Sequence, residues 1–218
     1  MPATFRLIAI TDREALGMGD PVAAARSAVS AGLPGLMLRE KDLPDEQLLP
    51  IARELRSITS QSGTMFIVNR RLTVARAVEA DGVHLGIDGP SIAEARNIIG
   101  SEKIIGYSAH DVNEALRAFD QGADYVIFSP IYETPSKQGI LQPVGLDALA
   151  RLVKIAPGPV VALGGISHSN ISEVAQTGAA GIAVIRAIFG SSNPGAATKQ
   201  LLEAWAEASS PVAAEAKI

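Results

Sequence analysis

Four short segments carry the residue types needed to handle a phosphorylated molecule. Leu38-Arg39-Glu40-Lys41 sets two cations around one acid. The planar fork of an arginine grips two phosphate oxygens, and a lysine adds a compact point charge. Asn69-Arg70-Arg71 supplies further donors. Gly164-Gly165 would let backbone N–H groups approach phosphate oxygens, and Arg186 could add a charge beside them. The segment 129–139 mixes hydroxyls, an acid and a lysine, with Glu133, Thr134, Ser136 and Lys137. Loops of that make-up on a rigid scaffold are usually functional. Each segment also has a plainer reading: a surface salt-bridge cluster, a tight turn, or a proline-stiffened connector.

Two of the three histidines fall at the ends of apolar runs, His84 in Gly82-Val83-His84-Leu85-Gly86 and His110 in Gly106-Tyr107-Ser108-Ala109-His110. Each is a candidate general acid or base, or a satisfied structural donor. His168 falls near a helix start and carries little weight. No trio has metal-ligand spacing, so a bound zinc is not expected. The absence of cysteine excludes disulfides, thiolate metal sites and a cysteine nucleophile.

These segments share one position, the end of an apolar run. The runs span 6–12, 35–41, 64–69, 82–86, 103–110, 125–130, 160–165 and 181–188, and each is followed by a longer amphipathic stretch. The runs are rich in β-branched residues, as in LIAITD, MFIVN and VVALGG. The stretches between them repeat apolar residues at i, i+3 and i+4, as in Leu48-Ile51-Leu55-Ile58. Pro44, Asp45 and Glu46 suit a first helical turn and Ser91 suits an N-cap. Gly32, Gly100, Gly122 and Gly178 fall where helices should stop.

Eight strand-then-helix repeats predict an α/β fold, a single-domain (β/α)8 TIM barrel over residues 1–207. Residues 208–218 form a Ser-, Pro- and Ala-rich tail that should fray. A doubly wound open sheet is the rival architecture, but eight strands favour closure. In such a barrel the chemistry sits at the C-terminal ends of the strands, and the loops after the seventh and eighth commonly hold a phosphate.

Length and composition agree with that reading. A chain of 218 residues, 47% hydrophobic and 19% charged, supports one sizeable core. Only 4% of the residues are aromatic, so the core must rest on Val, Ile, Leu and Ala, as buried parallel strands prefer. The net charge of −4 and the lack of a basic patch argue against nucleic acid as a partner. No apolar run reaches the length of a membrane span and no signal segment is evident, so a soluble, cytoplasmic protein is expected.

Taken together, these segments resemble the thiamine phosphate synthase and TenI superfamily. The resemblance covers nearly the whole chain and rests on Ile8-Ala9-Ile10-Thr11-Asp12, Leu38-Arg39-Glu40-Lys41, Ala80-Asp81-Gly82-Val83-His84-Leu85-Gly86, Gly106-Tyr107-Ser108-Ala109-His110, the 130–137 loop and Leu163-Gly164-Gly165-Ile166. For the synthase branch it implies a substitution at the methylene carbon of a pyrimidine. Diphosphate leaves with the help of Mg2+ and the nitrogen of a thiazole phosphate attacks. It assigns diphosphate and substrate contacts to Arg39, Lys41, Asn69, Ser108 and Lys137. The thiazole phosphate falls to Thr134, Ser136 and the backbone of Gly165 and Ile185.

Three positions depart from the family pattern. The aspartate expected after Asn69 is Arg70, the aspartate expected after the fourth strand is Gly89, and a glutamine of the second strand is Met37. The nearest remaining acid is Asp88, a weak ligand candidate. Mg2+ wants hard oxygen ligands, so poor binding in the usual synthase manner is expected, and Mg2+ would matter only in a synthase. Two repairs are conceivable: Arg70 neutralises diphosphate itself, or Asp88 shifts to take up the ligand role.

Three functions follow. The missing carboxylates and Glu133 tilt the reading narrowly toward a TenI-like thiazole phosphate tautomerase, in which Glu133 or His110 would move the proton because the branch's catalytic histidine position is Pro130. A thiamine phosphate synthase, favoured by Ser108, Ser136, Lys137 and Pro130, is the alternative. The third is a non-catalytic regulatory or phosphate-binding protein. All three bind a small phosphate, with no nucleic acid or membrane partner, and a homo-oligomer fits the resemblance.

Overall fold

The computed structural model describes residues 5–134 and 142–210. Ser136 and Lys137, and most of the 208–218 tail, lie outside the described residues. Eight strands close into a parallel barrel in sequence order: β1 (Leu7–Ile10), β2 (Gly35–Leu38), β3 (Met65–Asn69), β4 (Gly82–Leu85), β5 (Ile104–Ala109), β6 (Tyr125–Phe128), β7 (Val160–Leu163) and β8 (Gly181–Val184). The pairing Ala9↔Val184 between β1 and β8 completes the ring, so no strand edge is left open. The helices that follow are α1 (Pro21–Ser30), α2 (Asp45–Ser62), α3 (Leu72–Ala77), α4 (Ile92–Ile99), α5 (Val112–Asp120), α6 (Gly145–Ile155), α7 (Ile171–Gln176), α8 (Arg186–Phe189) and α9 (Pro194–Ala208). The open-sheet alternative is thereby excluded.

Local signals set the helix ends. Ser91 and Glu94 form a reciprocal capping box at α4, and the Asp20 carboxylate accepts from Val22 N at α1. Pro44 stands just outside α2, with Asp45 and Glu46 in its first turn, and Gly63 ends that helix in the left-handed region. At the N-terminal face, two carboxylates repeat one device. Asp81, just before β4, accepts from Phe66 N and Arg56; Asp124, just before β6, accepts from Ile105 N and Arg96.

Strand parity divides the core into two shells. Odd residues of β1 and even residues of β2 and β3 face the helices: Leu7, Ala9, Leu36, Leu38, Phe66 and Val68. The alternate set fills the barrel interior: Ile8, Ile10, Met37, Ile67, Tyr125, Ile127, Val161 and Ala183. Met37, at 1% exposure, is part of this plug. With the interior filled by side chains, the C-terminal mouth is where a barrel of this kind takes its ligand. Continuing the interior parity one step past Met37, Ile67, Leu163 and Ala183 leads to Arg39, Asn69, Gly165 and Ile185. The hydrophobic pattern that builds the plug thus also brings these residues to the mouth.

One expectation about element boundaries needs correction. The run 181–188 is not one strand: β8 stops at Val184, and Arg186 opens α8 instead of lying in the sheet. The flanking strands β7 and β1 end at Leu163 and Ile10, level with Ala183 and Ile185, so the sheet does not reach Arg186, and β-branched composition alone cannot extend a strand. No described helix is long and apolar enough to cross a membrane.

Candidate active site

The second and third strand ends bring two guanidiniums together. Arg39 N donates to the buried Thr11 hydroxyl at 2.9 Å, which pins the β2 end to β1. Arg39 Nη1 lies 3.9 Å from Asp12 Oδ2. Burial pulls the Arg39 pKa below its ordinary value; Asp12 and Glu40 oppose the shift and Arg70 adds to it. Arg70 has φ +60, a left-handed conformation uncommon for a residue with a side chain, and its N–H donates to the His84 carbonyl at 2.9 Å. Its Nη2 lies 3.6 Å from Asp88 Oδ2.

The neighbours of these two arginines turn elsewhere. Glu40 is 5% exposed and faces the helix layer, where Oε2 accepts from Arg13 N at 3.1 Å. Burial raises its pKa, against the Arg13 amide. Arg71, expected as a further donor, reaches the Leu43 carbonyl and Asp45 at the start of α2. Lys41 is exposed beyond the end of β2.

Ser108 is the third feature of the mouth. His84 Nε2 lies 2.8 Å from its hydroxyl, and His84 Nδ1 lies 3.1 Å from the Tyr125 hydroxyl. His84 is 2% exposed, and burial, with Arg70 and Arg39 adding to it, pushes its pKa down to about 3. Its two hydroxyl partners satisfy both ring nitrogens of a neutral imidazole, one donating and one accepting. The acid–base reading of His84 is therefore replaced by a positioning one. The Tyr125 ring takes the space that a side chain at Gly106 would need: a Cβ there would sit 2.1 Å from the ring. Tyr125 and Thr11 are site-supporting residues that sequence reading missed. The glycine two residues before Ser108 was the available signal for the first.

His110 Nδ1 lies 2.7 Å from the Ser129 carbonyl, an acceptor only, so Nδ1 carries the hydrogen and Nε2 is the nitrogen left to accept a proton. Glu133 is exposed, and Thr134 half-buried, on the segment after β6. That segment is stitched to β7 by Ile131 N to Leu163 O at 2.9 Å and Tyr132 N to Gly164 O at 3.0 Å. The two glycines make this passage possible. A Cβ on Gly164 (φ +111) would lie 2.7 Å from Pro130 Cα, and one on Gly165 (φ +65) 2.6 Å from the Glu133 carbonyl. The turn reading and the phosphate reading of Gly164-Gly165 are thus compatible. The Leu163↔Ala183 register sets Gly165 and Ile185 at neighbouring strand ends. His168 is exposed between β7 and α7.

The donor set does not fit a divalent cation. The two positions where the family pattern has aspartate are Arg70 and Gly89, and the acid beside them, Asp88, is paired with Arg70. Among the described residues no three His, Asp or Glu side chains converge as a metal site.

The mouth of this (β/α)8 barrel thus has cationic groups after β2 and β3 and a glycine-lined turn after β7. The family model described as thiamine monophosphate synthase matches residues 7–188, and the chain belongs to that family. It is 44% identical over 198 residues to the putative thiamine-phosphate synthase of Geobacter sulfurreducens, spanning 91% of this chain and 93% of the relative. To the thiamine-phosphate synthase of Desulfitobacterium hafniense it is 36% identical over 205 residues, 94% of this chain and 99% of the relative. The solved thiamine phosphate pyrophosphorylase from Pyrococcus furiosus superposes with a TM-score of 0.87 at 35% identity, covering 95% and 98% of the two chains.

Proposed function

We propose that the protein is a thiamine-phosphate synthase of the cytoplasm, joining hydroxymethylpyrimidine diphosphate to thiazole phosphate with release of diphosphate. One arrangement supports this: Arg39 and Arg70 follow β2 and β3, and the Gly165–Ile185 backbone follows β7 and β8, so each pair would hold one phosphorylated substrate. Two phosphorylated substrates need two such pairs, whereas an isomerase acting on thiazole phosphate needs one.

The chemistry also suits the groups present. The C–O bond to diphosphate breaks and its electron pair leaves with the diphosphate. The lone pair of the thiazole nitrogen forms the new C–N bond, and the product is a thiazolium. No proton has to be removed, so no general base is required. Arg39 and Asn69 hold the diphosphate end, with Lys41 and Lys137 as further cations. Ser108, oriented by His84, contacts the reacting region. Thr134, Ser136 and the backbone at Gly165 and Ile185 hold the thiazole phosphate.

The narrow tilt toward a tautomerase gives way for the same reasons. The relatives at 36–44% identity carry the synthase name; of the two residues that would move the proton, Glu133 is exposed and His110 keeps Nδ1 on the Ser129 carbonyl. Two incubations separate the readings. With both substrates, a synthase yields thiamine phosphate; with thiazole phosphate alone in D2O, a tautomerase exchanges the ring-adjacent proton. Exchange without condensation would reject the proposal.

A further inference from the structure

The residues that depart from the family pattern are assembled into one structure. Arg70 leaves β3 with φ +60, held by its hydrogen bond to the His84 carbonyl. That turn lays its side chain along the β4–α4 connection. A Cβ on Gly86 would sit 3.0 Å from Arg70 Nη2, and one on Gly89 would sit 3.5 Å from Arg70 Cγ and 3.6 Å from Cδ. The space that a side chain at position 89 would enter is therefore flanked by the arginine at position 70. Asp88 faces the guanidinium at 3.6 Å, with its side chain 80% exposed, so it serves as the counter-ion of Arg70. Of the two repairs considered from sequence, the structure favours the arginine.

We infer that the Arg70 guanidinium takes the place of a divalent cation in the diphosphate site, so that the leaving diphosphate is held without Mg2+ by Arg39 and Arg70 together. This rests on the synthase reading. Replacing two carboxylates by an arginine and a glycine removes two negative charges and adds a positive one, so the site is attractive to an anion without a metal. A guanidinium offers paired N–H donors in a fixed plane that fit adjacent phosphate oxygens, and it needs no ligands of its own. Placed where charge develops as the C–O bond breaks, it stabilises the departing diphosphate as a bound metal would. The Arg70 side chain runs past both Gly86 and Gly89.

Calorimetric titration of the full-length protein with inorganic diphosphate, in EDTA and in Mg2+, tests this. Diphosphate should bind in EDTA, and Mg2+ should not strengthen binding. Arg70→Gln should weaken binding in EDTA by about tenfold or more, and Arg70→Lys should recover part of it. Circular dichroism checks that both variants fold, and the wild-type comparison stands without them. Binding that requires Mg2+, or an Arg70→Gln variant that folds and binds as the wild type does, overturns the inference and leaves the synthase reading intact. No binding in either buffer overturns both.

Discussion

The Nε2 atom of His84 lies 2.8 Å from the Ser108 hydroxyl, which makes a fully buried imidazole the support of a serine at the barrel mouth. Behind it, the Tyr125 hydroxyl closes the chain at 3.1 Å from Nδ1. Tyr125→Phe should leave His84 Nδ1 without a partner and cost about 1–3 kcal/mol in urea unfolding. Ser108→Ala should lower kcat/KM by about tenfold and cost less stability than Tyr125→Phe, since Ser108 is only half-buried and water can replace its hydroxyl beside Nε2. An equal loss of stability in both variants would mean that the pair serves folding alone.

The same histidine gives the fold a pH dependence. Its folded pKa is held at about 3, whereas the unfolded chain takes up the proton near 6.5. Above pH 6.5 the contribution is fully present; it is lost as pH falls toward 3, because only the unfolded state binds the proton. The slope for one group is at most about 1.4 kcal/mol per pH unit. Urea unfolding of the wild type and His84→Gln between about pH 7 and pH 5 isolates it: the variant should lose less stability on acidification.

Gly164 should tolerate no side chain. Alanine there meets Pro130 at 2.7 Å and must adopt φ +111. Gly164→Ala should cost roughly 2–3 kcal/mol and lower Tm by roughly 5–10 °C. Gly32 is the control: its φ is +90 but nothing lies within 4 Å, so Gly32→Ala should cost only about 1 kcal/mol.

Arg39 should separate the two ends of the mouth. Arg39→Gln removes a charge held beside Arg70, and steady-state kinetics should show KM for the pyrimidine diphosphate raised by about tenfold to a hundredfold. KM for thiazole phosphate should change little. A parallel rise in both would place Arg39 in general substrate entry instead.

The fold was legible because parity and period are written in apolar residues. Every strand falls inside an apolar run, and the interior parity through Met37 and Ile67 carries on to Arg39 and Asn69. The cap at Ser91 and the acidic first turn at Asp45 were equally readable. The site was less so, because partners far apart in sequence decide what each polar residue does. His84 reads as an acid–base candidate until Tyr125 and Ser108 are seen on either side of it. Arg71 reads like Arg70 until one is found on Asp45 and the other across Gly89. Arg186 looked like strand because Val184 and Ile185 are β-branched, yet the sheet ends before it.

On the synthase reading, this barrel condenses two phosphorylated substrates. Purified protein mixed with hydroxymethylpyrimidine diphosphate and thiazole phosphate should produce thiamine phosphate and diphosphate in equal amounts, and Arg39→Gln should slow both together. If neither product forms while both substrates bind, the protein is not a synthase and the account of its mouth as a two-substrate site is wrong.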